Sequence, residues 1–546
     1  MATRLTRSRF VRAALGTAGA LALAPSRTFA AATTVPRLIR ISVRNIGRPY
    51  EGDRPWFATV SPGVDGRDAA VVSFELRRDA IVQLDVIRTA LRQRTIVWTT
   101  RKELDPGRQE LTWYPDYGTP VGTYVMRLTV ESSTGARRVY GGQRPVVPGQ
   151  SRGPVVRVLA VEAACTRRSY APGNLIRLSV FADARRLTLQ TLHCGPEPEY
   201  TDRADEMSGV PVGPLVTLPW RAYRRAPQQV RLRAGDWPTG VYTVRLTAKD
   251  GRVGFAPFVL RPKTLGASRQ AVVVPTNTWQ AYNFYDADGD GFGDTWYAGG
   301  NPPVVLTRPY RDRGVPPRFH RYDAPFLRWL SVTGKTPDFI TDDDLESIPT
   351  GDKLRRLYDL IVFPGHTEYE TKHVYDVIRR FRDLGGRLIS LSANAFFWKV
   401  ERTRDELQRT KLWRHLGRPE ASLLGAQYRA NDDGTNQGVY YVTNAEAVPW
   451  LFEGTGLKDG STIGEAVNGY GIEIDATTRS SPPGTIVVAV IPNIFGPGIN
   501  AEMTYYETAA GARVFNAGTL DFAGSVLTAP VTRMLENLWA RMTEPS

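Results

Sequence analysis

Two tandem β-sandwiches followed by a doubly wound α/β domain is the fold class this sequence predicts, and three observations predict it. Short apolar-polar alternations separated by Gly, Pro and Asp turns fill the first half of the chain. A segment of the first alternating region is echoed in the second. From about Arg269 the pattern changes to strands alternating with helices. At 546 residues the chain has room for two to four domains, and 42% hydrophobic content with 10% aromatics supplies ordinary cores and excludes a disordered chain.

Taken in order, residues 1–30 read as an export signal. Arg4, Arg7, Arg9 and Arg12 precede an apolar stretch from Ala13 to Ala24, and Thr28-Phe29-Ala30 offers small residues for cleavage. Ser8-Arg9-Phe10 in an arginine cluster is compatible with the twin-arginine route, although adjacent arginines are missing. The stretch is too short for a lasting anchor, and no other segment is apolar enough to span a bilayer. The expected location is outside the cytoplasm, secreted or at the cell surface, with no stable membrane span after cleavage.

Residues 36–148 and 155–262 are the two β-sandwiches, of immunoglobulin-like pattern. Ala70-Val71-Val72-Ser73-Phe74-Glu75-Leu76 and Ile81-Val82-Gln83-Leu84-Asp85-Val86 alternate with period two. Gly122-Thr123-Tyr124-Val125-Met126-Arg127-Leu128-Thr129 is matched by Gly240-Val241-Tyr242-Thr243-Val244-Arg245-Leu246-Thr247, the mark of a duplicated unit. Cys165 and Cys194, the only cysteines, fall in one such unit of a chain read as exported and are expected to form a disulfide. Gln150 to Pro154 and Lys263 to Ser268 read as linkers.

Residues 269–546 form the α/β domain. Ala271-Val272-Val273-Val274 opens it, Asp323 is placed to cap a helix whose buried face is Phe326, Leu327 and Leu330, and further strands fall at Arg387–Ser392, Thr485–Ile491 and Arg513–Ala517. The stretch 399–444 has too little periodicity to assign. The apolar run Leu360-Ile361-Val362-Phe363 reads as a buried parallel strand. The helix after it places Val374, Ile378, Phe381 and Leu384 on one face and ends at Gly385-Gly386. Between them lies Gly365-His366-Thr367-Glu368-Tyr369, past the carboxyl end of a strand, where open α/β sheets bind ligands.

The net charge of +15 is spread among acids with no long basic block, so it reads as a solvated surface and no nucleic-acid partner is expected. No Gly-x-Ser-x-Gly elbow, phosphate loop or dinucleotide motif is present, and the five histidines lack zinc spacing. A metal in the α/β domain would be held by oxygen donors. The loop Asp286-Ala287-Asp288-Gly289-Asp290-Gly291-Phe292-Gly293-Asp294 imitates the start of a calcium loop, but Tyr297 stands where a bidentate Glu would close it. Calcium on Asp286, Asp288, Asp290 and Asp294 and a bare acidic turn are both open readings.

Gln280-Ala281-Tyr282-Asn283, Arg308-Pro309-Tyr310, Leu327-Arg328-Trp329-Leu330, Thr341-Asp342-Asp343-Asp344-Leu345, Gly365-His366-Thr367-Glu368-Tyr369 and Leu391-Ser392-Ala393-Asn394-Ala395-Phe396-Phe397-Trp398 occur in this order. The series resembles the catalytic large (beta) subunit of N,N-dimethylformamidase, over roughly the second half of the chain. The resemblance implies a glutamine-amidotransferase-like α/β domain with a mononuclear iron, expected to be ferric, in place of a cysteine nucleophile. It implies iron ligands Tyr242, Tyr282 and Glu368, with His366, Asn394 and Glu507 as catalytic residues and a small-molecule amide as substrate. A separate small subunit or self-association is expected of such a chain. Thr367 and Glu370 replace the acidic residue and tryptophan usual around the glutamate motif, and the acidic loop is an insertion beside Tyr282.

Each residue also has a plainer reading. Tyr242 holds the same repeat position as Tyr124, so Gly-x-Tyr alone reads as a core tyrosine. Glu368 suits a helix N-terminus without any metal, and a lone His366 suits a hydrogen bond at the sheet edge. The function expected is hydrolysis of a small or N-substituted amide. The alternatives are a non-catalytic surface protein that binds glycan or a partner, and a metal-dependent hydrolase of another bond.

Overall fold

The structure, a computed structural model, describes residues 36–89, 94–145, 153–221, 225–298 and 301–545. The export signal lies outside the described residues. Among them no helix is long and apolar enough to cross a membrane.

The molecule is mixed and rich in β-sheet. In the first region a three-stranded sheet (Leu38–Asn45, Ala70–Leu76, Gly107–Trp113) faces a larger one built on Ala80–Thr89 and Gly122–Glu131. Period-two alternation sends Val72 and Phe74 of one sheet and Val82, Leu84, Met126 and Leu128 of the other into a common core. The second region repeats the plan: Ile176 and Leu178 from one sheet meet Leu189, Val244 and Leu246 from the other. The strand Val155–Val158, assigned by sequence to the second region, is instead a member of the first region's sheet, parallel to Phe57–Val60 and antiparallel to Gly122–Glu131.

The expected disulfide does not form. Cys165 and Cys194 are both free and buried. They face different cores, Cys165 among the sandwich residues around Leu178 and Cys194 among those around Phe326, so the two side chains point apart.

Beyond Arg269 the chain builds β1 (Gln270–Val274), α1 (Thr276–Ala281), α2 (Ala324–Val332), β2 (Asp338–Thr341), α3 (Asp342–Ser347), α4 (Gly351–Leu357), β3 (Leu360–Phe363), β4 (Tyr369–Thr371), α5 (Lys372–Asp383), β5 (Arg387–Ser390), β6 (Glu473–Ala476), β7 (Ile486–Ile491), β8 (Ala501–Glu507), β9 (Arg513–Asn516) and α6 (Ala529–Thr543). A nine-stranded sheet runs β2-β1-β3-β5-β9-β8-β7 and continues through Tyr440–Val442 to Thr462–Ile463. Its first five strands are parallel and the rest antiparallel.

Alternation again decides the layers. Val272, Val274, Val362 and Ile389 pack with α2 and α6, whereas Ala271, Val273, Ile361, Phe363 and Leu388 pack with α3, α4 and α5. Helix α5 starts where Thr371 accepts from the Val374 amide at 3.1 Å and ends at Gly385, whose φ of +84° favours glycine. The short strand β4 intervenes between the Gly-His-Thr-Glu motif and this helix. It joins a second, four-stranded sheet with Val304–Val305, Trp398–Arg402 and Glu406–Leu412, which accounts for part of the stretch that the sequence left unassigned.

Candidate functional site

The chain leaves β1 toward β2 on one side of the sheet and returns to β3 on the other, so the carboxyl ends of β1 and β3 form a topological switch point. Helix α1 carries Tyr282 from the end of β1, the loop after β3 carries His366 and Glu368, and the loop after β5 carries Asn394. The small sheet closes over them, with Tyr282, Trp296, Tyr369, Val400 and Leu407 in one apolar cluster.

Within this crevice the Tyr282 hydroxyl donates to Glu368 Oε2, and the Tyr369 hydroxyl donates to Tyr282 at 3.1 Å. His366 Nε2 lies 3.3 Å from Glu368 Oε2 and 3.4 Å from Glu473 Oε2, yet neither ring nitrogen makes a hydrogen bond. Asn394 Nδ2 donates to Glu473 Oε2 at 2.8 Å, and the Asn394 amide donates to Asp475 Oδ1 at 2.8 Å. Asn394 is held at φ +54°, a left-handed conformation that asparagine accepts at modest cost. The Tyr297 ring stacks on Tyr282 with centroids 3.6 Å apart.

Burial governs the protonation of this cluster, because charge is costly away from water. It pushes Tyr282 and Glu368 well above their usual ranges, and the neighbouring carboxylates Glu368 and Glu473 respectively add to it. Burial raises Glu473 to about 7 against the Asn394 hydrogen bond, raises Asp475 to about 6, and lowers His366 to about 3. Tyr282, Tyr297, Arg318, Tyr322, Asp323 and His366 line a small cavity of about 10 Å³, room for one water-sized group.

Two expected site residues lie elsewhere. Tyr242 is buried in the second β region, stacked on His193 at 4.5 Å, and its hydroxyl donates to the Pro238 carbonyl at 2.6 Å. Its repeat partner Tyr124 makes the same bond to Pro120 at 2.5 Å, so both are core tyrosines that tie a strand to the loop before it. Glu507 ends β8 opposite Arg513, at the amino-terminal edge of β9 and so at the far edge of the parallel sheet from the site. There it accepts from Tyr505 and, at 3.0 Å, from Arg541. Tyr282, Glu368, His366 and Asn394 are brought together.

The sequence reading missed Tyr297, Glu473 and Asp475. Tyr297 was seen only as the residue that fails to close a calcium loop. Glu473 and Asp475 alternate with Ile474 and Ala476 in β6, so two acids two apart on a strand face were the available signal. Asp323 does not cap α2: its Oδ2 accepts from the Trp279 indole at 3.2 Å.

In the acidic loop Asp286, Asp288 and Asp294 bring carboxylate oxygens within 4.8 Å of one another, and Asp290 stands outside that group. The carboxylates are already engaged as turns: Asp286 accepts from the amides of Gly289, Asp290 and Gly291, and Asp294 from Ala287. The loop docks on the first β region through Thr89 Oγ1 to the Gly291 carbonyl at 2.7 Å and Arg54 to the Asp288 carbonyl at 2.9 Å.

Comparison with known proteins places these residues. The N,N-dimethylformamidase beta subunit of an Alcaligenes species is 24% identical over 302 residues, 44% of this chain and 39% of that subunit. The N,N-dimethylformamidase beta subunit of Paracoccus aminophilus is 23% identical over the same shares. The match thus spans about two fifths of the length of these relatives. A crystal structure of Salmonella alpha-2-macroglobulin reacted with methylamine gives a TM-score of 0.22 at 10% identity, covering 40% of this chain and 16% of that one, too slight a likeness to bear on the fold. The family model described as N,N-dimethylformamidase beta subunit-like, C-terminal, matches residues 225–531, more than half of the chain and all of the residues gathered at the switch point, and the chain belongs to that family.

Proposed function

We propose that the chain is an exported hydrolase of a small or N-substituted amide, working at an iron centre held by Tyr282, Tyr297 and Glu368. The observation that carries this reading is the convergence of two phenols, Tyr282 and Tyr297, on one buried cavity, with Glu368 accepting from the Tyr282 hydroxyl and a histidine whose ring nitrogens are unengaged beside them. Anionic oxygen donors suit a hard ferric ion. Burial keeps the donors protonated when nothing compensates their charge, and a bound cation reverses that preference. Tyr297 takes the part first given to Tyr242, since it lines the same cavity as Tyr282 and His366. Tyr369, which donates to the Tyr282 hydroxyl and packs against Trp296, does not line that cavity.

Iron, when bound, supplies a Lewis acid that polarises an amide carbonyl and eases the ionisation of water. The chain's own residues do the rest. His366 lines the cavity with both ring nitrogens unengaged, so the ring can accept a hydrogen bond from water and orient it. Asn394 spends an amide hydrogen on Glu473, which fixes that carboxyl 3.4 Å from His366, in the catalytic place that the resemblance gave to Glu507. Both relatives are named as beta subunits, and a separate small subunit or a second copy of the chain is proposed to complete the assembly.

Elemental analysis and a visible spectrum of wild type and Tyr282→Phe, followed by a panel of small amides, test the reading. Expected are stoichiometric iron, a phenolate-to-iron band that weakens in the variant, and release of amine. A colourless protein that takes up no iron overturns the centre. Iron without amine release from any amide overturns the substrate class.

A further inference from the structure

On the wall of the same cavity stands a carboxyl that neither the sequence motifs nor the proposed iron ligands account for. Asp323 is 5% exposed and lines the cavity together with Tyr282 and His366. Its backbone opens α2, accepting from the amides of Phe326 and Leu327, while its side chain turns away from the helix. Oδ2 accepts from the Trp279 indole at 3.2 Å, and Oδ1 has no hydrogen-bond partner. Oδ1 rests against Gly365, where a Cβ would come within 2.4 Å of it, so the residue that begins the Gly-His-Thr-Glu motif must lack a side chain.

A carboxylate buried with a single donor is poorly solvated, whereas a neutral carboxyl suits the place: Oδ2 accepts from the indole and Oδ1 carries the proton. We infer that Asp323, a residue of the cavity wall whose Oδ1 has no hydrogen-bond partner, is the proton donor to the departing amine. This rests on the proposed amide hydrolysis. In that reaction the oxygen of water bonds to the carbonyl carbon and the C–N bond breaks. The nitrogen leaves with the bonding electrons and takes the Oδ1 proton, and a proton shed by the water restores the carboxyl. Burial lifts Asp323 to about 8 against the Trp279 hydrogen bond, which matches a group that holds its proton at neutral pH and can still give it up.

Asp323→Asn keeps the shape and the indole contact and removes the acid. It is tested on an N,N-dialkylformamide, whose amine cannot leave unprotonated, and on 4-nitrophenyl formate, whose phenolate leaves as a stable anion. Expected is a fall in kcat of about a hundredfold or more on the first, the scale of general acid catalysis, with KM unchanged and turnover of the ester retained. Gly365→Ala, which displaces Oδ1 without removing it, should show the same selectivity. The infrared difference between wild type and Asp323→Asn should contain the carbonyl stretch of a protonated carboxyl. Equal losses on both substrates, a loss borne by KM, or no such band overturns the assignment. A wild type that cleaves neither substrate overturns the reading of function itself, an outcome seen before any variant is compared.

Discussion

Tyr242 and Tyr297 show how little a residue's neighbours in sequence say about its role. Tyr242 sits in a repeat whose other copy makes the same hydroxyl-to-carbonyl bond, so its geometry is that of the β region and owes nothing to the site. Tyr297 follows an acidic loop that resembles something else, and it reaches Tyr282 only because that loop folds back on itself. Tyr242→Phe should therefore leave iron content unchanged and cost about 1 kcal/mol of stability for the lost hydrogen bond, read by urea denaturation. Tyr297→Phe should lose iron with the fold intact, read by elemental analysis and circular dichroism. Glu368, His366 and Asn394 were legible because they lie within a few residues of strand ends that apolar runs announce. Glu473 was not: it lies 79 residues from Asn394, the residue that holds it, and nothing local to either reports that pairing.

At the scale of elements, the parallel strands and α5 were legible because each carries a buried face at the right period. The small sheet over the site was not, since its strands Trp398–Arg402 and Glu406–Leu412 are mostly polar and for the most part only half-buried or exposed, with no regular apolar face. The join between the second β region and the α/β domain combines a shared apolar core, in which Val241, Phe255 and Val259 pack with Phe319 and Phe326, with a buried charged contact. Arg168 is 7% exposed; it pairs with Asp343 at the start of α3 and donates to Asn277 in α1 at 2.9 Å, and Arg402 of the small sheet pairs with the same Asp343. Burial alone would raise Asp343, but Arg168 and then Arg402 outweigh it and hold the carboxyl below its usual 3.8. For a depressed carboxylate the stabilisation is present above pH 3.8 and is lost as pH falls through the lower folded value. Arg168→Ala should cost about 1.5–3 kcal/mol, the scale of hydrogen bonds to charged groups, and the variant's thermal midpoint should fall less steeply in acid than that of the wild type.

Across the whole molecule, the acidic loop couples the first β region to α1, the helix that carries Tyr282. Asp286 gathers three amides and shapes the turn, while Gly291, at φ +89°, packs against Val125 and Val155 where a Cβ would have no room. Thermal melts with calcium and with chelator separate the two readings of this loop. A midpoint that rises with calcium, and does so no longer in Asp288→Ala, assigns the three carboxylates to the ion. An unchanged midpoint assigns them to the turn alone.

The strand Val155–Val158 is the last of the first β region in chain order and lies inside its larger sheet, and only two residues separate it from the second region's first strand, Val161–Cys165. The intervening Leu159 is itself pinned, its amide donating to the Val60 carbonyl at 2.8 Å. Two β units joined through so short and pinned a connection have little freedom to pivot about it. Anyone who trims the chain at the apparent linker near Pro154 removes an interior strand from the unit they meant to isolate.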